Sequence, residues 1–327
     1  MIEVINNVGI YEKYLPVFGK EEYLKYKSDK YGWFISGQFL LPFYITKKFI
    51  FKRLFFTTNT IYLKDASKDD EKTFLNDVCN KTRSLGVDVI DVPQVNAIFN
   101  VCPDRAISTE FGTYKIDLSL SKDELFSKVH SKHRNVIRKA EKDGVVIKKD
   151  DSYILDCYEL IKETYKRQNK KFISYDNFER LKLLLKDDLV FYVTLKDEVI
   201  QGCAVFIWNK GHSCFYQYGG SISTPSTGAM NLLHWKAICD MEENGVCYYD
   251  LYGARISPEP GSKLEGIQRF KERFGGDFIT GFLWKYPVKK YKYLLYKVLL
   301  RIHNLLKGIK YEGDIIDQER RRKQKAE

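Results

Sequence analysis

The chain has 327 residues, 44% apolar and 15% aromatic, with a formal net charge of +11. That length exceeds one average domain and suits two of about 150 residues, and the composition excludes a disordered chain. Charge is uneven: from Lys285 to the end there are thirteen basic and five acidic residues, so the body is close to neutral, which argues against a fold covered in nucleic-acid contacts.

Taken in order, Glu21–Tyr26 reads as a short helix. Trp33–Tyr44 and Phe49–Tyr62 are β-like runs rich in Phe, Ile and Tyr, broken at Lys47 and Lys48. Asp69–Leu85 has helical spacing and stops at Gly86. Val87–Val92 and Thr113–Leu118 alternate like strands. Ser121 and Glu124 form a capping-box signature that opens a helix through Lys142, ended by Gly144. Between Lys128 and Lys142 lie six Lys or Arg, two His and a single acid. Val145–Lys148 is a strand.

A second unit starts near Asp150. Helices over Leu155–Lys166 and Tyr175–Leu185 precede strands at Val190–Leu195, Val199–Trp208 and His212–Tyr218. A Ser/Thr/Gly loop, Ser221–Gly228, leads into a helix over Ala229–Asn244. A strand ending at Asp250, a loop with Gly253, Pro258, Pro260 and Gly261, a short helix and a strand at Phe278–Trp284 follow. This order predicts an α/β fold with mixed sheets flanked by helices, divided as 1–148, 149–288 and a basic amphipathic tail, 289–327. In the tail, apolar residues recur at helical spacing from Val288 to Leu306 with lysines between them. Such a helix either covers a domain core or lies on an anionic membrane surface. Arg320–Lys323 reads as a frayed basic end.

The seven cysteines are an odd number, with no CxxC spacing and no grouping with histidine. They predict reduced thiols in a cytoplasmic protein and no metal site. The first residues lack a basic start followed by an apolar run, so no signal peptide is expected. No stretch reaches the roughly 18 apolar residues that cross a bilayer.

On a wheel of the short helix, Leu264, Ile267, Phe270 and Phe274 form one apolar stripe, and Lys271 falls inside it. A cation on a core-facing side either snorkels to water or lines a cleft, where it can hold developing negative charge. Asp250, at its strand end, is a candidate base or a carboxylate that bonds loop amides. Tyr216 and Tyr218, two apart on one strand, share a face and either line the cleft or pack in the core. Lys132, Arg134 and Arg138 form either a phosphate-binding face or a solvated one. No GxSxG and no Cys–His pairing points to a covalent acyl-enzyme.

Four stretches, KHRNVIRKAEKDGV (132–145), GAMNLLHWKAICDMEENG (228–245), YYDLYG (248–253) and FKERFGG (270–276), come in an order that resembles the Fem-type aminoacyltransferases of bacterial cell-wall synthesis. They cover most of the second half. The resemblance implies two tandem domains of the GNAT acyltransferase fold and amide-bond formation without a resident cofactor. The acyl donor would be aminoacyl-tRNA, with a coenzyme A thioester as the alternative. The acceptor would be an amine on a nucleotide-sugar or lipid-linked glycan precursor, met in the cytoplasm or at the inner membrane surface. It also implies that Lys271 stabilises the tetrahedral oxyanion and that Phe270 contacts the tRNA acceptor end. The loop Ser221–Gly228 lacks the Gln/Arg-x-x-Gly-x-Gly text of a pyrophosphate cradle, which favours the tRNA ester. A GNAT-like module that binds without catalysing is the reading of another class.

Overall fold

The computed structural model describes residues 2–308 and 311–326; residues 309, 310 and 327 of the tail lie outside the described residues. The chain divides into two compact units, Met1–Gly112 with Thr280–Glu327, and Thr113–Ile279. Position 148, the boundary expected from sequence, lies inside the second unit, and the tail belongs to the first.

The first unit opens with β1 (Glu3–Ile5), α1 (Glu21–Lys27), β2 (Tyr31–Ile35), β3 (Phe39–Lys48), β4 (Phe51–Phe56), β5 (Ile61–Tyr62), α2 (Lys68–Ser84) and β6 (Val89–Ile90). Their sheet runs β1-β2-β3-β4-β6, with β5 on β3. Each aromatic run predicted as one strand is two. The first run turns at Ser36, whose backbone amide bonds Phe39 O, and the second stops at Phe56 and resumes at Ile61; between the two runs the chain turns at Phe49, which takes a left-handed φ of 54°. Lys47 and Lys48 end β3, at the break their charges marked between the two runs. Under the sheet, Phe34, Leu41, Leu54 and Phe56 pack on Phe74, Leu75 and Val78 of α2, the face that its helical spacing predicted.

Strand β7 (Ile107–Asp117) leads into the second unit, which continues with α3 (Lys122–Lys128), α4 (Ser131–Lys142), β8 (Val146–Lys149), α5 (Ile154–Lys166), α6 (Tyr175–Leu185), β9 (Leu189–Lys196), β10 (Val199–Trp208), β11 (Ser213–Ser221), α7 (Ala229–Glu243), β12 (Tyr248–Asp250) and α8 (Lys263–Glu272). Strand β13 (Asp277–Lys285) leads out, followed by α9 (Lys290–Leu306) and α10 (Ile315–Ala326). The seven-stranded sheet has the order β13-β7-β12-β11-β10-β9-β8. Leu233, Ala237 and Met241 of α7 pack on Ala204 and Phe206 of β10 and Tyr249 of β12. On the other side of β10, the Cys203 thiol donates to the Cys157 carbonyl of α5.

Two local expectations change. The helix expected from Ser121 to Lys142 is two, because Val129 is extended (ψ 130°) and the His130 side chain caps the Lys132 amide of α4. Arg320–Lys323 lies within α10 and is helical, not frayed.

Candidate active site

Strands β11 and β12 run parallel, but their pairing ends at Phe215 opposite Asp250. Beyond it β11 continues to Ser221 against β10 alone, while the chain after Asp250 enters a loop. The point where two parallel strands part at their carboxyl ends is the usual place for a ligand in an α/β sheet. Tyr252 and Gly253 follow the last paired position, Asp250, on the β12 side, and Tyr216 follows Phe215 on the β11 side.

Helix α8 enters through a cap: Ser262 Oγ accepts the Glu265 amide, and Glu265 Oε2 accepts the Gly261 amide. It leaves through Gly275, whose φ of 80° and 2.5 Å spacing from a built Cβ to Lys128 O admit no side chain. The His130 amide donates to Arg273 O at the same end, 2.9 Å. The end of α8 is thus fixed against the start of α4, which places the middle of FKERFGG. The wheel put Leu264 and Ile267 inward, yet they are 44% and 40% exposed. Only the last turns dock, through Phe270, Lys271 and Phe274.

Lys271 is buried. Its Nζ donates to Tyr252 O and, at 2.8 Å, to Gly253 O. An ammonium has three donors, so one N–H remains. Burial lowers its pKa to about 8 against the opposing pull of Asp250, so the cation prevails at neutral pH. Asp250 is fully enclosed. Its Oδ1 accepts the Thr113 hydroxyl at 2.5 Å and the Tyr252 amide at 2.7 Å, and its Oδ2 is buried without a hydrogen-bond partner among the described residues. Burial raises its pKa, opposed first by Lys115.

Phe270 lies among His133, His234 and Phe274, with ring centroids 5.1–5.5 Å away. Tyr216 joins this group, 4.5 Å from the His234 ring. The structure therefore gathers Lys271, Asp250, Phe270 and Tyr216. Tyr218 does not join them. A bulge lets β10 residues Val205 and Phe206 face Tyr218 and Tyr216 respectively. The extra residue, Gln217, turns Tyr218 to the opposite face, where it meets Phe172 and Phe178.

On α4, the Arg134 guanidinium donates to the carbonyls of Ser127 and Val129, closing the carboxyl end of α3. Arg138 stacks on Phe126, and Lys132 is exposed. Sequence reasoning missed His133, His234, Tyr249 and Thr113. His234 Nδ1 is 2.6 Å from Tyr249 Oη; His234 Nε2 and His133 Nδ1 are buried without partners among the described residues. Burial lowers their pKa values to about 3 and about 4, so both rings are neutral. The signal was present for His234, which shares the apolar face of its helix with Met230, Leu233 and Met241.

This layout agrees with what residues 127–272 match, a family described as "Acetyltransferase (GNAT) domain". Those residues are a GNAT acyltransferase domain. Its residues include Lys271, Asp250, Phe270, Tyr216 and both buried histidines. Among solved structures, the chain resembles FemX, with a TM-score of 0.66 and 13% identity over 85% of this chain and 94% of FemX. It also resembles the C-terminal domain of an Agrobacterium fabrum protein described as a lysylphosphatidylglycerol synthetase (TM-score 0.52, 14% identity, 82% and 87% coverage). L-PGS from Bacillus licheniformis gives 0.50, 13%, 83% and 93%. At such identities the likeness shows the fold, which is Fem-like and α/β with two GNAT-like units, as the resemblance implied. No curated protein matches by sequence.

Proposed function

We propose that the protein joins an aminoacyl group, supplied by aminoacyl-tRNA, to an amine of a cell-wall or surface-glycan precursor carried on a nucleotide or a lipid. The observation that carries this reading is Lys271: a buried ammonium, fixed by two carbonyls at the point where the strands part, with one N–H to give. An amine attacks the ester carbonyl, a C–N bond forms, and the carbonyl oxygen becomes an oxyanion beside that N–H. Collapse breaks the ester C–O bond, and the proton lost by the amine ends on the departing ribose oxygen. Asp250 Oδ2 is the nearby group suited to carry it, because burial makes it a stronger base than an exposed carboxylate.

Two observations favour a tRNA ester over a coenzyme A thioester. A pyrophosphate needs free amides at a helix N-terminus. Here the Ser226 amide and hydroxyl bond Gln201 Oε1, and the Ile222 amide bonds Gln201 O. A Cβ on Gly228 would stand 2.1 Å from Val136 O, so α4 covers the start of α7. The likeness to FemX and to proteins named for lysylphosphatidylglycerol synthesis supports aminoacyl transfer. The exposed cations of α4, such as Lys132, would meet phosphates of tRNA or acceptor. The reaction would occur on the cytoplasmic side of the membrane, where charged tRNA is made.

The test is a transfer assay with radiolabelled aminoacyl-tRNA, with acetyl-coenzyme A in parallel, against nucleotide-sugar and lipid-linked acceptors. Acceptor-dependent loss of label from tRNA supports the reading. Transfer from acetyl-coenzyme A alone overturns it.

A further inference from the structure

Helix α9 has two apolar faces. Tyr293 and Tyr296 point inward and pack on Phe51 and Val89. Tyr291, Leu294, Val298, Ile302, Leu305 and Leu306 point outward, from 47% to 90% exposed. At 100° per residue the outward set falls in an arc of about 120°. Lys290, Lys297 and Arg301 border it on one side and Lys292 on the other. Of these, Lys297 pairs with Asp317 and Lys292 with Asp88.

A second element of the same unit extends this surface. The turn between β3 and β4 presents Phe49 and Ile50, 43% and 63% exposed. The Phe49 ring is 5.7 Å from His303 of α9, and Lys48 feels the charge of Lys307. The turn therefore stands beside the carboxyl end of α9 and adds Lys47 and Lys48 to the basic border. At the other end, Leu294 and Lys290 line a cavity of about 360 Å³ with Arg83 and Arg105.

We propose that the outer face of α9 and the Phe49–Ile50 turn seat the protein on an acidic lipid surface. An apolar arc with cations on both sides suits a helix lying in the interface plane, its side chains among the acyl chains and its lysines among the phosphates. A second copy of this chain fits less well, since facing arcs would bring basic borders together. This surface is distinct from the acyltransferase site and does not depend on the donor or acceptor chosen above. Among the described residues no helix is long and apolar enough to cross a membrane, and surface seating needs none.

The experiment is sedimentation of the full chain with phosphatidylcholine vesicles, with and without phosphatidylglycerol. Two variants accompany it: Leu294→Gln/Val298→Gln/Ile302→Gln, and Phe49→Asn/Ile50→Ser. Phe49 holds a left-handed φ that Asn tolerates, so the second variant keeps the turn even if the first perturbs the helix. The expected result is binding that requires phosphatidylglycerol, weakens with salt and drops about tenfold in each variant. No partition, or partition unchanged in both variants, overturns the proposal. Self-association without vesicle binding, abolished by the same substitutions, assigns the face to a second copy and also overturns it.

Discussion

Lys271 and Asp250 are both buried beside the point where β11 and β12 part, yet each is held by other groups. The ammonium bonds the carbonyls of Tyr252 and Gly253, and the carboxylate bonds Thr113 and the Tyr252 amide. Their charges still act on one another through the enclosed space. An ion pair in direct contact would consume the hydrogen-bonding capacity that catalysis needs. Here Tyr252 serves both residues, its carbonyl for the lysine and its amide for the aspartate, and both retain capacity for a substrate.

Replacing Lys271 by Met should therefore remove transfer and spare the fold. A single donor to a developing oxyanion is worth about 10²–10³ in turnover, while deleting a desolvated cation relieves a burial cost. The check pairs initial rates with thermal melting. Near-normal turnover in this variant would remove Lys271 from the mechanism.

The pH profile should carry the signature of this residue. The Lys271 pKa is depressed to about 8, so its charge is lost as pH rises through that value, and turnover should decline there. Stability should move the other way. The unfolded lysine keeps its proton to about 10.4, so between the two values the unfolded chain binds more protons and rising pH favours the fold. Rates and melting temperatures measured from pH 7 to 10 test both limbs. The residual activity of Lys271→Met should lack the alkaline decline.

How much of this was legible in the sequence differs by level. The inward side of Lys271 followed from its spacing to Phe270 and Phe274, because helical periodicity is local. The exposure of Leu264 and Ile267 did not, because which turns of α8 dock depends on α4 meeting Arg273, an interaction between segments 143 residues apart in number. Tyr216 and Tyr218 failed for a related reason: strict alternation assumes no extra residue, and the bulge at Gln217 shows only in the pairing with β10. The break at Val129 was hidden because Leu125, Val129 and His133 keep helical spacing across it. Charge count left Arg134 as either a phosphate-binding or a solvated side chain and gave no sign that its guanidinium also closes the carboxyl end of α3.

Asp250→Asn separates a base from a structural carboxylate. Asparagine can still accept from Thr113 and the Tyr252 amide through its carbonyl oxygen, so the loop should hold its place. A base contributes about 10²–10⁴ to rate, and a loss of that size with an unchanged melting temperature assigns Asp250 to proton transfer. A lowered melting temperature with modest rate loss assigns it to the loop.

The two buried histidines predict acid sensitivity. Unfolded histidine takes a proton near pH 6.5, whereas folded His133 and His234 stay neutral down to about 4 and about 3. Below pH 6.5 the unfolded chain therefore binds more protons, and stability falls as pH falls. For fully enclosed His234 the loss by pH 4 is about 3 kcal/mol. Denaturant midpoints between pH 7 and 4.5 should slope less steeply in His234→Gln than in the parent. Parallel slopes would show that the His234 ring is protonated within the fold.

In the first unit, Lys285 is 1% exposed on β13, and its Nζ is 2.5 Å from Asp314 and 2.7 Å from Asp317. The two carboxylates raise its pKa despite burial, so the charge is held by its partners. Asp317 opens α10, whose Ile316 is buried against Phe111 and Leu283. The pair thus fixes where the last helix begins. Lys285→Met should cost about 3 kcal/mol, because it leaves two carboxylates facing an apolar side chain. Adding Asp314→Asn and Asp317→Asn should recover part of that loss, since the penalty lies in the unpaired charges and not in the missing contact. Chemical denaturation of the single and triple variants measures the coupling. If the triple variant is less stable than the single one by the sum of separate effects, the three residues act independently and do not anchor α10.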